Sequence, residues 1–187
     1  MTRASTAAAL IAVLALLLPP PAGAETFQDA ATGLTVDLPE GFRATRGERP
    51  GYDVVIGLNS DAPRRRIGTS ADLCQLAYAH APQNASLSQA QINEISAAPD
   101  RLALIRTQME RGFEVASIQP VPWGAATGTE VTGTPRVGPD APDARVMLSI
   151  AETPRGRVVL SCAAHAADTP ALYEVFRTLR AAVKPPA

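Results

Sequence analysis

Hydrophobic and polar positions switch between two periods along this chain. Leu34, Val36 and Leu38 alternate with Thr35 and Asp37, a period of two that predicts a half-buried strand. Pro39-Glu40-Gly41 ends it, and Phe42 follows as a core anchor. Residues 52–58 and 72–80 are apolar or β-branched between turn residues and predict two more strands. The period then lengthens. Ser88 with Gln91 three positions on has the form of a capping box, opening a helix to about Ile95. Pro99-Asp100 opens a second helix, with Leu102, Ile105 and Met109 on one face and Gly112 as its stop. Alternation returns over 113–118. Pro120 and Pro122 then predict a bend around Trp123-Gly124. Residues 125–134 read as a strand, and 146–150 and 157–163 as a hairpin joined by Thr153-Pro154-Arg155-Gly156. Asp168-Thr169-Pro170 starts a last helix, proline at its first position, with Leu172, Val175, Phe176 and Leu179 on one face. Strands in runs, with helices needing a sheet to cover, predict an α+β layer fold with a mainly antiparallel sheet.

The first 24 residues follow neither period. One positive charge, Arg3, precedes an apolar run from Ala7 to Leu18, the n-region and h-region of a secretory leader. Three prolines, 19 to 21, cannot continue a helix. Ala22-Gly23-Ala24 then offers small residues to signal peptidase, which places cleavage between Ala24 and Glu25. The run is too short for a bilayer of roughly 30 Å, which takes about 20 residues. The expected organisation is a cleaved signal peptide over 1–24 and a single domain over 25–187. No second long apolar run predicts a membrane span in the mature chain. Richness in Ala, Arg and Pro suits a bacterial genome of high GC content. The expected location is the periplasm or the medium.

Charge narrows the partners. The net charge is −1 over 187 residues, and eight aromatic residues are too few to interleave with cations as a nucleic-acid surface would require. The one basic run is Arg64, Arg65 and Arg66, after the turn-forming Asp61-Ala62-Pro63. It reads as a solvated cluster, with anion binding as the functional alternative. The two cysteines, Cys74 and Cys162, lie in apolar segments, 71–79 and 158–164. An even count in an exported chain points to a disulfide that would staple the middle of the domain to its end; two separate buried thiols are the alternative.

Residues 33–42, Gly-Leu-Thr-Val-Asp-Leu-Pro-Glu-Gly-Phe, preceded by Thr26-Phe27, resemble the opening of the PsbP/Mog1-like proteins. The closing hairpin, the strand over 158–163 and the amphipathic helix from Pro170 are similar to the end of that family. The resemblance implies an αβα sandwich and an accessory or binding role. It supplies no catalytic set, and the Cys74–Cys162 pair is not part of its general pattern.

Chemical motifs are sparse. No Gly-x-Ser-x-Gly elbow and no Walker or dinucleotide glycine pattern occurs. Only His80 and His165 could act as histidine bases. Ser161 precedes His165 by four residues, a spacing that on a strand does not bring both to one site. Cys162 and His165, with Cys74 and His80, would make a Cys₂His₂ set if they converged. However, the odd offset points Cys162 and His165 to opposite faces, and export favours oxidised cysteines. Asp140 and Asp143 lie in a Pro/Gly loop where solvation is the expected state. Trp123 is the residue to consider as a ligand platform, against the simpler reading of core packing. No metal, cofactor or catalytic residue is assigned. The reading is an exported non-enzymatic accessory or binding protein of the bacterial periplasm, its partner an envelope protein or component. The alternative is an enzyme or a small-ligand or metal-binding protein with a site near His165, His80 and Arg64, Arg65 and Arg66.

Overall fold

The computed structural model describes residues 25–65, 67 and 71–186. The expected leader over 1–24 and Arg66 lie outside them. A seven-stranded antiparallel sheet forms the centre, in the order β3-β4-β5-β9-β8-β7-β6. Its strands are β3 (Phe42–Gly47), β4 (Val54–Ser60), β5 (Cys74–His80), β6 (Phe113–Trp123), β7 (Ala126–Pro135), β8 (Ala144–Glu152) and β9 (Gly156–His165). A small sheet joins β1 (Thr26–Gln28), β2 (Thr35–Asp37) and β10 (Val183–Lys184), with β2 in the middle.

The alternating positions read from the sequence become the core. Val54, Ile56 and Leu58 of β4, Leu76 and Tyr78 of β5, and Val158 and Leu160 of β9 share one face. Leu34, Val36 and Leu38 around β2 and Val183 of β10 close over it, with Phe176 and Leu179 of α3 (Thr169–Ala182). On β7, Glu130 points to α3, so its neighbours Thr129 and Val131 face the other side by strand alternation. On that side α1 (Gln89–Ala97) lies against β7 and α2 (Pro99–Met109) against β6. The result is an αβα layering. No helix among the described residues is long and apolar enough to cross a membrane.

Local chemistry explains the element ends. The Ser88 hydroxyl accepts from the Gln91 N–H, and the Gln91 carboxamide oxygen accepts from the Ser88 N–H at 2.8 Å, a full capping box. Asn93 pins α1 to the β6–β7 hairpin, donating to the Ala125 carbonyl and accepting from the Thr127 N–H. Gly124 makes that turn with φ +60°. Gly156 has a different reason: a Cβ there would lie 2.5 Å from the Tyr78 hydroxyl and the Ala79 carbonyl oxygen, so only glycine lets the β8–β9 hairpin press against β5.

The reversal expected at Trp123-Gly124 forms as the β6–β7 turn, and three elements extend beyond the sequence reading. β6 continues past Ile118 through Pro120 and Pro122 to Trp123. It is an edge strand, so a missing N–H forfeits no ladder bond on its outer side. β3 forms at the opposite edge from Phe-Arg-Ala-Thr-Arg-Gly, a segment with too few apolar positions to show a period. Val183 and Lys184, directly after the last helix, pair with β2.

Candidate functional site

The β5–β9 pair organises the residues that the sequence singled out. Cys74 and Cys162 stand directly opposite each other in its register and form a disulfide, with Cα atoms 4.1 Å apart and both side chains buried. The same antiparallel register separates the histidines. His80 pairs with Gly156 at one end of the ladder, whereas His165 lies at the other end of the ten-residue β9. At ~3.4 Å per residue the two are roughly 30 Å apart. The proposed grouping of His80 with His165 therefore does not form. The His80 N–H donates to an Asp53 carboxylate oxygen at 2.7 Å, and its ring stands edge-on to Tyr78. With both sulfurs in the disulfide, the Cys₂His₂ set is also dissolved. Among the described residues no group of three or more His, Cys, Asp or Glu could hold a metal ion.

Of the basic run, Arg65 meets His165. The Arg65 guanidinium lies 3.5 Å from His165 Nδ1 and 3.9 Å from an Asp168 carboxylate oxygen. His165 Nδ1 also faces the Ala167 N–H, 3.1 Å away, so it acts as an acceptor and the neutral ring carries its proton on Nε2. The His165 carbonyl in turn accepts from the Asp168 N–H and the Thr169 hydroxyl, which locks the β9–α3 turn. Arg64 is anchored on the other wall, donating to the Ala71 carbonyl at 2.8 Å and to Asn59 at 3.4 Å. Asn59 continues the brace, accepting from the Leu73 N–H and donating to Asp72.

Between these walls is an open cleft of about 690 Å³. Pro63, Ala167, Pro170, Ala171 and Leu172 give it an apolar surface, and Arg64, Arg65 and Asp168 give it charge. A second hollow of about 320 Å³ shares Arg64 and is polar, with Arg43, Asn59 and Ser60 among its walls. Arg43 is held by Asp61 at 3.1 Å.

Trp123 belongs to the core. Its ring is 1 % exposed and its indole N–H donates to the Val183 carbonyl at 3.0 Å. One edge borders a small cavity of about 130 Å³ closed by Pro154, Pro185 and Pro186. Asp140 and Asp143 flank a single 3-10 turn, where the Asp140 carbonyl accepts the N–H groups of Asp143 and Ala144.

One charged cluster escaped the sequence reading. Glu130 of β7 is fully buried beneath α3, where its carboxylate accepts from Arg180, from Arg177 at 3.3 Å and from Gln119 at 3.3 Å. That bond to Glu130 raises the Arg177 pKa further above its ordinary value, so the guanidinium stays charged. Ser149 sits opposite Glu130 in the β7–β8 register, its buried hydroxyl without a hydrogen-bond partner. The available signal was a lone acid in a Thr/Gly strand and two arginines three apart, each just after a core position of α3.

No family model and no curated protein matches the sequence. The architecture is similar to the solution structure of the cyanobacterial PsbP of Synechocystis, with a TM-score of 0.53 at 12 % identity, over 88 % of this chain and 93 % of that one. A Pseudomonas aeruginosa protein of unknown function is similar at a TM-score of 0.43 and 10 % identity, over 76 % of this chain and 96 % of that one. At such identities likeness reports architecture alone. With antiparallel sheets and three α-helices among the described residues, this chain has a PsbP-like α+β fold.

Proposed function

We propose that this chain is exported from a bacterial cytoplasm, is cleaved after Ala24, and acts as residues 25–187 in the envelope, by binding a partner rather than by catalysis. The observation that carries this reading is a buried disulfide in a chain that opens on a leader pattern. Disulfides form and persist in oxidising compartments and are rare in the cytosol. Binding rather than catalysis is supported by how the polar groups at the cleft are used. His165 Nδ1 is turned into the β9–α3 turn, where it accepts from the Ala167 N–H, with Arg65 3.5 Å from it and 3.9 Å from Asp168. Nucleophilic chemistry would instead pair a nucleophile with an oriented base.

The test is the intact, non-reduced mass of the full-length chain expressed in a Gram-negative host and recovered from the periplasm. The expected species starts at Glu25 and is two hydrogens lighter than the dithiol. An uncleaved chain confined to the cytoplasm, or two free thiols, would overturn the reading.

A further inference from the structure

The charged groups beside the cleft brace one another only in part, and the remainder points to a ligand. Arg64 is spent on the Ala71 carbonyl and Asn59. Arg65 is not: its side chain is 60 % exposed, and its two polar contacts among the described residues, at 3.5 and 3.9 Å, are longer than the roughly 2.7–2.9 Å of a charge-assisted hydrogen bond. Its planar fork therefore keeps donor capacity on the rim of an apolar hollow. A volume of about 690 Å³ falls within the range of small-molecule sites, which pair a mainly apolar wall with a few placed polar groups.

We propose that this cleft binds a small amphipathic monocarboxylate, with its apolar body against Pro63, Pro170 and Leu172 and its carboxylate on Arg65. Charge complementarity selects the anion. Among the described residues, Arg64, Arg65 and Asp168 leave the lining one net positive charge, enough to favour a single negative charge and to disfavour an amine. The guanidinium fork matches a carboxylate in two parallel hydrogen bonds, which a hydroxyl cannot reproduce. Asp168 sets no barrier: at 3.9 Å it is a weak competitor for Arg65, and a ligand carboxylate at hydrogen-bonding distance displaces it.

This goes beyond the binding role proposed above by naming a site and a ligand class, and it rests on binding rather than on export. The experiment titrates octanoate into the disulfide-intact chain over 25–187, by calorimetry and by NMR. The expected result is saturable 1:1 binding with shifts confined to Arg65, the β9–α3 turn and the first turn of α3. Octylamine should not bind there. Arg65→Met should weaken octanoate about tenfold or more, the loss of a hydrogen bond to a charged group. Ala171→Glu, at an exposed position on the cleft wall, should abolish binding by like charge while leaving the urea midpoint unchanged. Non-saturable uptake, equal affinity in both variants, equal binding of octylamine, or binding only of a peptide through its free C-terminus would each overturn the proposal. The mass measurement above fails or succeeds independently of these outcomes.

Discussion

Replacing Arg180 by methionine is expected to cost far more stability than the same change at Arg177, although both arginines grip Glu130. Glu130 is 0 % exposed, Arg180 11 % and Arg177 37 %. Removing one partner of a buried ion pair costs about 3–5 kcal/mol, because the surviving charge is left unsolvated. Arg177 and Gln119 remain on the same carboxylate, so the loss for Arg180→Met falls to about 2–3 kcal/mol. Arg177 is more than a third exposed and already shares itself with Glu174 at 2.8 Å, so Arg177→Met costs about 1 kcal/mol or less. Replacing both ends with apolar groups, Glu130→Met with Arg180→Met, removes the uncompensated charge and should recover most of the loss. Trp123 is the only tryptophan and is buried, so urea unfolding followed by its emission reports the core. With an m-value of about 2 kcal/mol/M, Arg180→Met lowers the midpoint by about 1 M. It lowers Tm by roughly 5–10 °C, at about 2–4 °C per kcal/mol for a domain of this size. An Arg180→Met variant within about 0.5 kcal/mol of the parent would refute the reasoning. So would a double variant less stable than the single one.

Two further outcomes follow from the disulfide and from the Asp29 carboxylate. Removing the disulfide by Cys74→Ala with Cys162→Ala releases a loop spanning 88 residues, for which chain entropy gives a loss of about 4.6 kcal/mol as an upper value; an unchanged urea midpoint would show that the bridge closes no costly loop. Asp29 gives an acid limb to stability. Its carboxylate accepts from the Thr32 N–H and hydroxyl, each at 2.9 Å, and from Arg46 at 2.8 Å. Chiefly the Thr32 N–H, then its hydroxyl and Arg46, hold its pKa below the ordinary 3.8 against the opposing effect of burial. The folded value lies below the unfolded one, so this stabilisation is complete above 3.8 and is lost as pH falls through the folded value. Asp29→Asn should flatten the fall in urea midpoint over that acid range, and an unaltered pH profile would refute the assignment.

The candidate site shows how far sequence reading reaches. Arg64, Arg65 and His165 each stood out, the first two as the basic run and the third as one of two histidines. The meeting of Arg65 with His165 depends on the chain after β4 folding back beside the β9–α3 turn, a hundred residues away in sequence. The grouping with His80 failed because it needs the β5–β9 register, and strand alternation carries a face but no register. Glu130 gave no sign of burial, since a single acid in a strand ordinarily faces water; only the arginines of α3 make its position tolerable.

What this chain determined by itself is whatever depends on residues a few positions apart. That includes the alternation that buries Leu34, Val36 and Leu38, the Ser88–Gln91 box that opens α1, the proline that starts α3, and the layered α+β class that follows from them. The tertiary structure decided which strand pairs with which, and therefore that Cys74 meets Cys162 while His80 stays far from His165. It also decided that two proline-bearing or polar segments, β6 and β3, close the edges of the sheet. The physical reason is the range of the forces. Torsional preference, capping and periodicity act locally and are written in each segment. Pairing partners and buried charges are settled by burial summed over the whole core, where each segment's place depends on all the others.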